Sequence, residues 1–296
     1  MKNLININDL TIDDINQIYM RANEFEKGMR KSNHAMAHAV NMFFENSTRT
    51  RMSFEMAENR LKINNYNFNA DVSSIQKGET LYDTINSLSA IGINLVILRH
   101  SDNNLIKELS AKHYFGEVGF INAGSGTDSH PTQALLDYYT IKKHCLNLGD
   151  KTIAIVGDIA HSRVARSNIN LLKKFNMKIR CIAPEKLTGE KIEGVEYFTS
   201  LKEGIEGANI IMALRIQNER IKEHVDIDNY IKNYQITKEN LPYDALLMHP
   251  GPVNRDVEIS SEVLELQNAQ TILKQAKYGV YIRMAILDMI SMYLGV

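Results

Sequence analysis

The nine residues from Phe43 to Arg51, FFENSTRTR, pass from a wholly apolar run to hydroxyls and guanidiniums, and they restrict what this chain can fold into more than any other stretch. Ala39, Val40, Met42, Phe43 and Phe44 suit a buried strand. Asn46 or Ser47 is a preferred helix cap, and beyond it Phe54, Ala57 and Leu61 fall on one helical face. Ser47, Thr48, Arg49 and Thr50 therefore stand where a strand turns into a helix. Unpaired backbone N–H groups and the positive end of the helix dipole point out of such a turn, and two hydroxyls with Arg49 add side-chain donors. Together they favour a phosphate. Taken alone, an S-T-R triplet more often places Arg49 and Arg51 on a solvated helix face. The rest of the chain decides between these readings.

The chain has 296 residues, 44% hydrophobic and 23% charged, which is a globular composition and a comfortable length for two domains. Thirty-four Lys and Arg against 35 Asp and Glu give a formal net charge of -1. That balance supplies no global field for nucleic acid, so any anion recognition is local. The apolar stretches at 90–98 and 284–294 are short or interrupted by Asn94 and Asp288, so no span of a bilayer is expected. The polar, acidic N-terminus does not resemble a signal peptide. Two distant cysteines, Cys145 and Cys181, lack metal-type spacing and fit a reducing compartment. A cytoplasmic protein is expected.

Ile12, Ile15, Ile18 and Tyr19 recur at helical spacing, so a first helix is expected within 11–30, and it serves packing. Tyr66 to Ala70 reads as a short strand, DVSSIQKGET (71–80) as a loop, and 81–91 as a helix. Leu95 to Leu98 is a continuous aliphatic run typical of a buried parallel strand, with Arg99 and His100 at the carboxyl edge where open α/β sheets bind ligands. Val118 to Asn122 repeats the pattern. His130-Pro131-Thr132-Gln133 then opens a long helix, which puts His130 and Gln133 one turn apart. That helix is expected to run to Leu148-Gly149-Asp150 and to bridge to a second domain. There, strand signals recur at 151–156, 179–183, 210–214 and 243–248. Gly157 after the first of these invites a dinucleotide-binding reading, yet the fingerprint needs three spaced glycines and only one is present. HPGPVNR (249–255) encloses one glycine between two prolines, a rigid turn in which Gly251–Pro252 is a candidate cis bond. A last apolar helix is expected over 271–294.

FFENSTRTR, DVSSIQKGET, HPTQ, HSRVARSN (161–168) and HPGPVNR, in this order and spacing, resemble the aspartate and ornithine carbamoyltransferase family over nearly the whole chain. The resemblance implies an α/β fold of two domains, each a parallel sheet flanked by helices, joined by long helices. Residues 1–133, completed by the helix at 271–296, would bind carbamoyl phosphate, and 134–270 the acceptor amino acid. Ser47, Thr48, Arg49, Thr50, Arg99, His130 and Gln133 match the family's carbamoyl-phosphate contacts, with Thr50, Arg99 and His130 at the carbonyl oxygen and Gln133 at the carbamoyl nitrogen. Ser73 and Lys77 match a loop that reaches a neighbouring subunit's active site. Arg163 matches the residue that meets the acceptor's α-carboxylate, and Arg215 and Gln217 those that meet its side-chain carboxylate. The backbone of Pro250, Gly251 and Pro252 would orient the attacking amine. Other members often carry a larger residue at the position of Gly251.

These assignments imply transfer of the carbamoyl group of carbamoyl phosphate to L-aspartate, the committed step of pyrimidine biosynthesis de novo. Carbamoyl phosphate is an activated acyl donor, so neither metal nor cofactor is expected; fixed donors placed where negative charge grows would lower the barrier. The HCLP and SMG segments of ornithine enzymes are absent, whereas Lys77, Arg163, Arg215 and Gln217 suit a dicarboxylate. The alternatives are an ornithine or other amino-acid carbamoyltransferase, a non-catalytic homologue and, from Gly157, a nucleotide-dependent oxidoreductase. The resemblance further implies a homotrimer with shared active sites and leaves room for a separate regulatory chain. No nucleic-acid or membrane partner is expected.

Overall fold

The computed structural model describes residues 1–69, 77–145, 147–217 and 225–296. They form two compact units, Met1–Leu135 with Ala276–Val296, and Leu136–Gln275. Both are α/β, with helices flanking a parallel sheet.

In the first unit, helix α1 (Ile12–Glu26) precedes strand β1 (His38–Phe43), helix α2 (Thr48–Leu61), β2 (Asn64–Phe68), α3 (Leu81–Ala90), β3 (Leu95–His100), α4 (Leu105–Ser110) and β4 (Gly119–Ser125). Helix α5 (Pro131–His144) then crosses the boundary between the units. The strand order is β2-β1-β3-β4, and all three pairings are parallel. A sheet covered on both faces needs strands that are apolar throughout rather than alternating. The aliphatic run of β3 meets that need, and β1 does so apart from its buried Asn41, with Met42, Leu95, Val96, Ile97 and Leu98 at 0% exposure. Val40, Met42, Val96, Leu98 and Phe120 pack with Ile85, Ile106 and Leu109 in one core cluster.

Several sequence expectations shift here. The buried stripe of α1 is Ile15, Ile18, Ala22 and Phe25, while Ile12 is exposed and Tyr19 only half-buried. Strand β2 lies at Asn64–Phe68, starting before the expected Tyr66, and is a mostly exposed edge that lacks the apolar signature; Ala70, the expected last residue, lies outside the described residues. Helix α5 stops at His144, and Leu148 accepts a turn hydrogen bond from Lys151 N–H at 2.9 Å. Leu4, unassigned in the sequence, bridges in parallel to Ile121 of β4.

The second unit carries β5 (Thr152–Val156), α6 (Arg163–Lys173), β6 (Lys178–Ile182), α7 (Glu185–Thr188), β7 (Glu196–Phe198), α8 (Leu201–Ile205), β8 (Ile210–Ala213), α9 (Ile227–Tyr234), β9 (Leu246–Met248) and α10 (Ser261–Leu264). Its order is β7-β6-β5-β8-β9, again all parallel. Strand β9 starts at Leu246 and not at Tyr243, which is 95% exposed beside a turn closed by Ala245 N–H on Pro242 O. Helix α11 (Gln270–Leu294) contributes its residues up to Gln275 to this unit and the remainder to the first. Among the described residues no helix is long and apolar enough to cross a membrane.

Within the first unit, α11 is anchored through one buried acid. Asp288, whose side chain is 1% exposed, accepts from Arg21 Nη1 of α1, from Arg30 Nη2 at 2.9 Å, and from His34 Nε2 at 2.9 Å. His34 Nδ1 lies 2.8 Å from Val296 O, so acceptors face both ring nitrogens and the ring must be an imidazolium. The hydrogen bond to Asp288 holds the His34 pKa above its ordinary value against the effect of burial. Burial works against ionised Asp288, but the His34 and Ser32 hydrogen bonds with Arg30 and Arg21 outweigh it and hold the carboxyl well below the usual range. For the acid, the stabilisation exists above its unfolded pKa and is lost as pH falls. For the imidazolium it exists below the unfolded pKa and is lost as pH rises through the raised one. The cluster is therefore strongest between about pH 4 and pH 6.5.

Asp288→Asn should cost about 3 kcal/mol near pH 5.5, at the low end for a broken buried pair because Arg21 and Arg30 are 23% and 26% exposed. Urea unfolding should show a smaller cost at alkaline pH, as the imidazolium contribution is lost on passing through the raised His34 pKa. An equal cost at both pH values would contradict the account.

Candidate active site

In the first unit the expected phosphate residues gather at the carboxyl edge of three adjacent strands. Strand β1 leads through Glu45 and Asn46 to Ser47, the residue before α2. The starts of α1 and α3 are closed by Thr11 and Thr80, whose hydroxyls accept first-turn N–H groups, with Asp13, Asp14 and Asp83 nearby. The start of α2 differs. Ser47 makes no capping bond and the first turn holds no acid, so neither a cap side chain nor a first-turn carboxylate offsets the positive end of the helix dipole. Thr48 and Arg49 are exposed, Ser47 is half-buried and Thr50 is buried. Arg51 serves the fold instead, donating from Nε to Glu55 Oε1 at 3.1 Å and Asn67 Oδ1 at 3.2 Å.

Arg99 pairs in register with Phe43 across β1 and β3, which brings it beside the α2 start. Its Nη1 donates to Ala123 O at 3.3 Å, and its Nε lies 3.3 Å from Glu45 Oε2. Glu45 thus supplies the counter-charge that allows a guanidinium only 11% exposed. The sequence reading passed over Glu45 because nothing local marks an acid that partners a residue on another strand. His130 and Gln133 follow β4 and are buried at 4% and 7% exposure. Gln133 N–H donates to His130 O at 3.0 Å, so the two are held a single turn apart, as the HPTQ segment predicts. An open cavity of about 490 Å³ borders Glu45, Asn46, Ser47, Thr48 and Arg51. Of the expected phosphate contacts it includes Ser47 and Thr48 only. Lys77 is exposed, and Ser73 lies outside the described residues.

The helix bearing these groups is tied down from below. Glu58 of α2, at 0% exposure, accepts from Asn41 Nδ2 of β1 at 2.9 Å and 3.2 Å. Burial pushes the Glu58 carboxyl up to about 7, aided by Glu55 and opposed by the Asn41 hydrogen bond.

In the second unit Arg163 opens α6 and is 5% exposed, with the preceding Ser162 capping the helix through Ala165 N–H at 3.1 Å. Arg215 and Gln217 follow β8, the strand next to β5. Fully buried Asp158 joins the two loops. Its Oδ1 accepts from His161 N–H at 3.2 Å and its Oδ2 from Gln217 N–H at 3.2 Å, while Gln217 Nε2 donates to His161 O at 3.0 Å. Gly157 has a packing reason: at φ +127° a Cβ there would meet Leu214 O at 2.5 Å. Close approach of two strand ends accounts for that glycine without a dinucleotide. Among the described residues, no group of three His, Cys, Asp or Glu side chains is arranged to hold a metal ion. The 249–252 turn contains the cis Gly251–Pro252 bond, and Gly251 adopts φ +75°, which a larger residue takes up only with strain.

Family models match both halves of the chain: aspartate/ornithine carbamoyltransferase, carbamoyl-P binding domain, over residues 2–143, and the Asp/Orn binding domain of the same family over 149–290. The chain belongs to the aspartate/ornithine carbamoyltransferase family. An aspartate carbamoyltransferase catalytic subunit from Wolbachia sp. subsp. Drosophila simulans is 42% identical over 294 residues, covering 97% of each chain. That of Listeria welshimeri is 39% identical, covering 98% of this chain and 96% of its own. Among solved structures, the catalytic subunit of M. jannaschii aspartate transcarbamoylase superposes with a TM-score of 0.85 at 31% identity over 98% of both chains. Aspartate transcarbamoylase from Trypanosoma cruzi, in complex with carbamoyl aspartate and phosphate, gives 0.84 at 28% identity over 97% of this chain and 94% of its own.

An acid whose native pKa is raised keeps its proton in the folded state after the unfolded chain has lost it. Stability therefore falls between about pH 4.3 and pH 7 relative to a neutral isostere. Glu58→Gln should gain about 2 kcal/mol over wild type on moving from about pH 5 to about pH 8, read by urea unfolding. A difference independent of pH would contradict a carboxyl kept neutral under α2.

Proposed function

We propose that this chain transfers the carbamoyl group of carbamoyl phosphate to the amino group of L-aspartate, giving N-carbamoyl-L-aspartate and phosphate. The observation that carries the reading is the uncapped, acid-free start of α2 beside Arg99, in a chain whose full-length relatives are aspartate carbamoyltransferases. In this reading the α2 amides with Ser47, Thr48 and Arg49 hold the phosphate. Thr50, Arg99 and His130 donate to the carbonyl oxygen, where negative charge grows as the neutral amine attacks, and Gln133 orients the carbamoyl nitrogen. Such preformed donors act most strongly on the transition state, because they need no reorganisation as charge develops. The same groups stabilise the leaving phosphate dianion.

Arg163 takes the α-carboxylate of the acceptor, and Arg215 with Gln217 its side-chain carboxylate. The backbone carbonyls of Pro250, Gly251 and Pro252 face the amine and hold its lone pair toward the carbonyl carbon. An ornithine acceptor would instead present an ammonium to Arg215, a like-charge contact. Ser73 and Lys77 are assigned to the active site of a neighbouring copy in a cytoplasmic homotrimer. Sedimentation at the mass of a single chain would contradict that assembly.

The test is incubation with carbamoyl phosphate and aspartate, ornithine or no acceptor, with carbamoylated product and released phosphate both measured. Stoichiometric carbamoyl-aspartate and phosphate with aspartate alone is expected. Product with ornithine would overturn the roles of Arg163, Arg215 and Gln217, and no product with either would overturn the reading.

A further inference from the structure

In residues 249–252 only His249 and Gly251 carry an N–H, because Pro250 and Pro252 have none. Both are engaged. His249 N–H donates to Gln275 Oε1 at 2.9 Å, and Gly251 N–H donates to His249 Nδ1 at 2.8 Å. Gln275 Nε2 in turn donates to Asp137 Oδ1 at 2.9 Å. The other oxygen of Asp137 accepts from Asn168 Nδ2 at 2.8 Å, and that nitrogen also donates to Val164 O at 3.0 Å. Asp137 and Asn168 are at 0% exposure and Gln275 and His249 at 2%, and all four belong to the second unit.

The donors and acceptors at Gln275 have dictated roles. The Gln275 amide must turn its oxygen to a backbone N–H and its NH₂ to a carboxylate; inverted, it would set donor against donor and acceptor against acceptor. At this burial an unmet polar group is costly, so the network holds a single arrangement. We propose that Gln275 and Asp137 are positioning residues for the acceptor step, fixing the 249–252 turn and, through Asn168, the first turn of α6 that carries Arg163. The function assigned to that turn rests on the carbamoyl-transfer reading, whereas the pinning itself does not.

The hydrogen bonds can be exchanged without changing total charge. Gln275→Glu alone sets two carboxylates face to face, and Asp137→Asn alone removes an acceptor, so each should lower kcat/KM for aspartate by about 100-fold. The carbamoyl phosphate Kd should change by less than about twofold, because that substrate is held by the first unit. In the double variant the new carboxylate at 275 accepts from His249 N–H and from the new amide at 137, whose oxygen accepts from Asn168. Its kcat/KM should return to within about tenfold of wild type. Amide hydrogen exchange at His249 and Gly251 should quicken in both single variants and slow again in the double. Exchange reports the pinning whether or not the protein turns over: exchange following this pattern in a wild type that makes no carbamoyl-aspartate would leave the pinning standing and sink the carbamoyl-transfer reading. Unchanged exchange or unchanged aspartate kinetics in the single variants, or no recovery in the double, would overturn the proposal.

Discussion

The first turn of α2 carries neither a side-chain cap nor an acid, and much of the first unit holds it in place. A helix start normally recruits a hydroxyl or an acid to satisfy its first N–H groups, as α1 and α3 do with Thr11 and Thr80. Leaving α2 uncapped sacrifices about 1 kcal/mol of helix stability. Tertiary contacts compensate: the β1 core on one side, Phe54, Ala57 and Leu61 packed at 0% exposure, and the Glu58–Asn41 pair beneath. Register with β3 then places Arg99 alongside, with Glu45 as its counter-charge. In the proposed reading these donors are fixed before the anion arrives, which is the condition under which hydrogen bonds lower a barrier rather than merely bind.

The second unit solves a different problem with the same means. In the proposed reading the acceptor's amine must be aimed by backbone carbonyls of the 249–252 turn, which proline and glycine place but do not secure. Here the two N–H groups of the 249–252 turn close onto His249 and Gln275, and Asp137 carries the constraint to α6. Asp158 does likewise for the loop leading into α6 and Arg163 and for the one that bears Gln217. In both units buried acids act through geometry: Glu58 and Asp137 accept from side-chain amides, and Asp158 from backbone amides and the His161 ring. In the first unit Asp288 serves the fold instead, drawing Arg21, Arg30 and His34 onto α11.

What the sequence makes legible follows from the range of the interactions. Strands β3 and β5 are centred on continuous aliphatic runs, β1 is apolar apart from His38 and Asn41, and the α2 start is a local switch of period with a cap residue, so all can be read from neighbours in the chain. Strand β2 is polar and β7 only three residues long, and neither has a periodic signature. The Asp288 cluster joins residues 254 and 267 positions apart, and the Gln275–Asp137 bond spans 138. No spacing rule reaches that far. Arg163, Arg215 and Gln217 stand out only through family resemblance; read physically, each is one more polar residue after a strand. Asp158, which ties their loops together, carried no signal at all.

The most direct test of this account is the binding of carbamoyl phosphate alone, by calorimetry, to the wild type and to Arg49→Ala. If the α2 start is the anion site, the wild type binds one equivalent per chain, and removing one charge-assisted donor raises Kd by about 10- to 100-fold, with an unchanged melting temperature. Equal affinity in the two proteins would contradict the central claim and place the phosphate elsewhere on the chain.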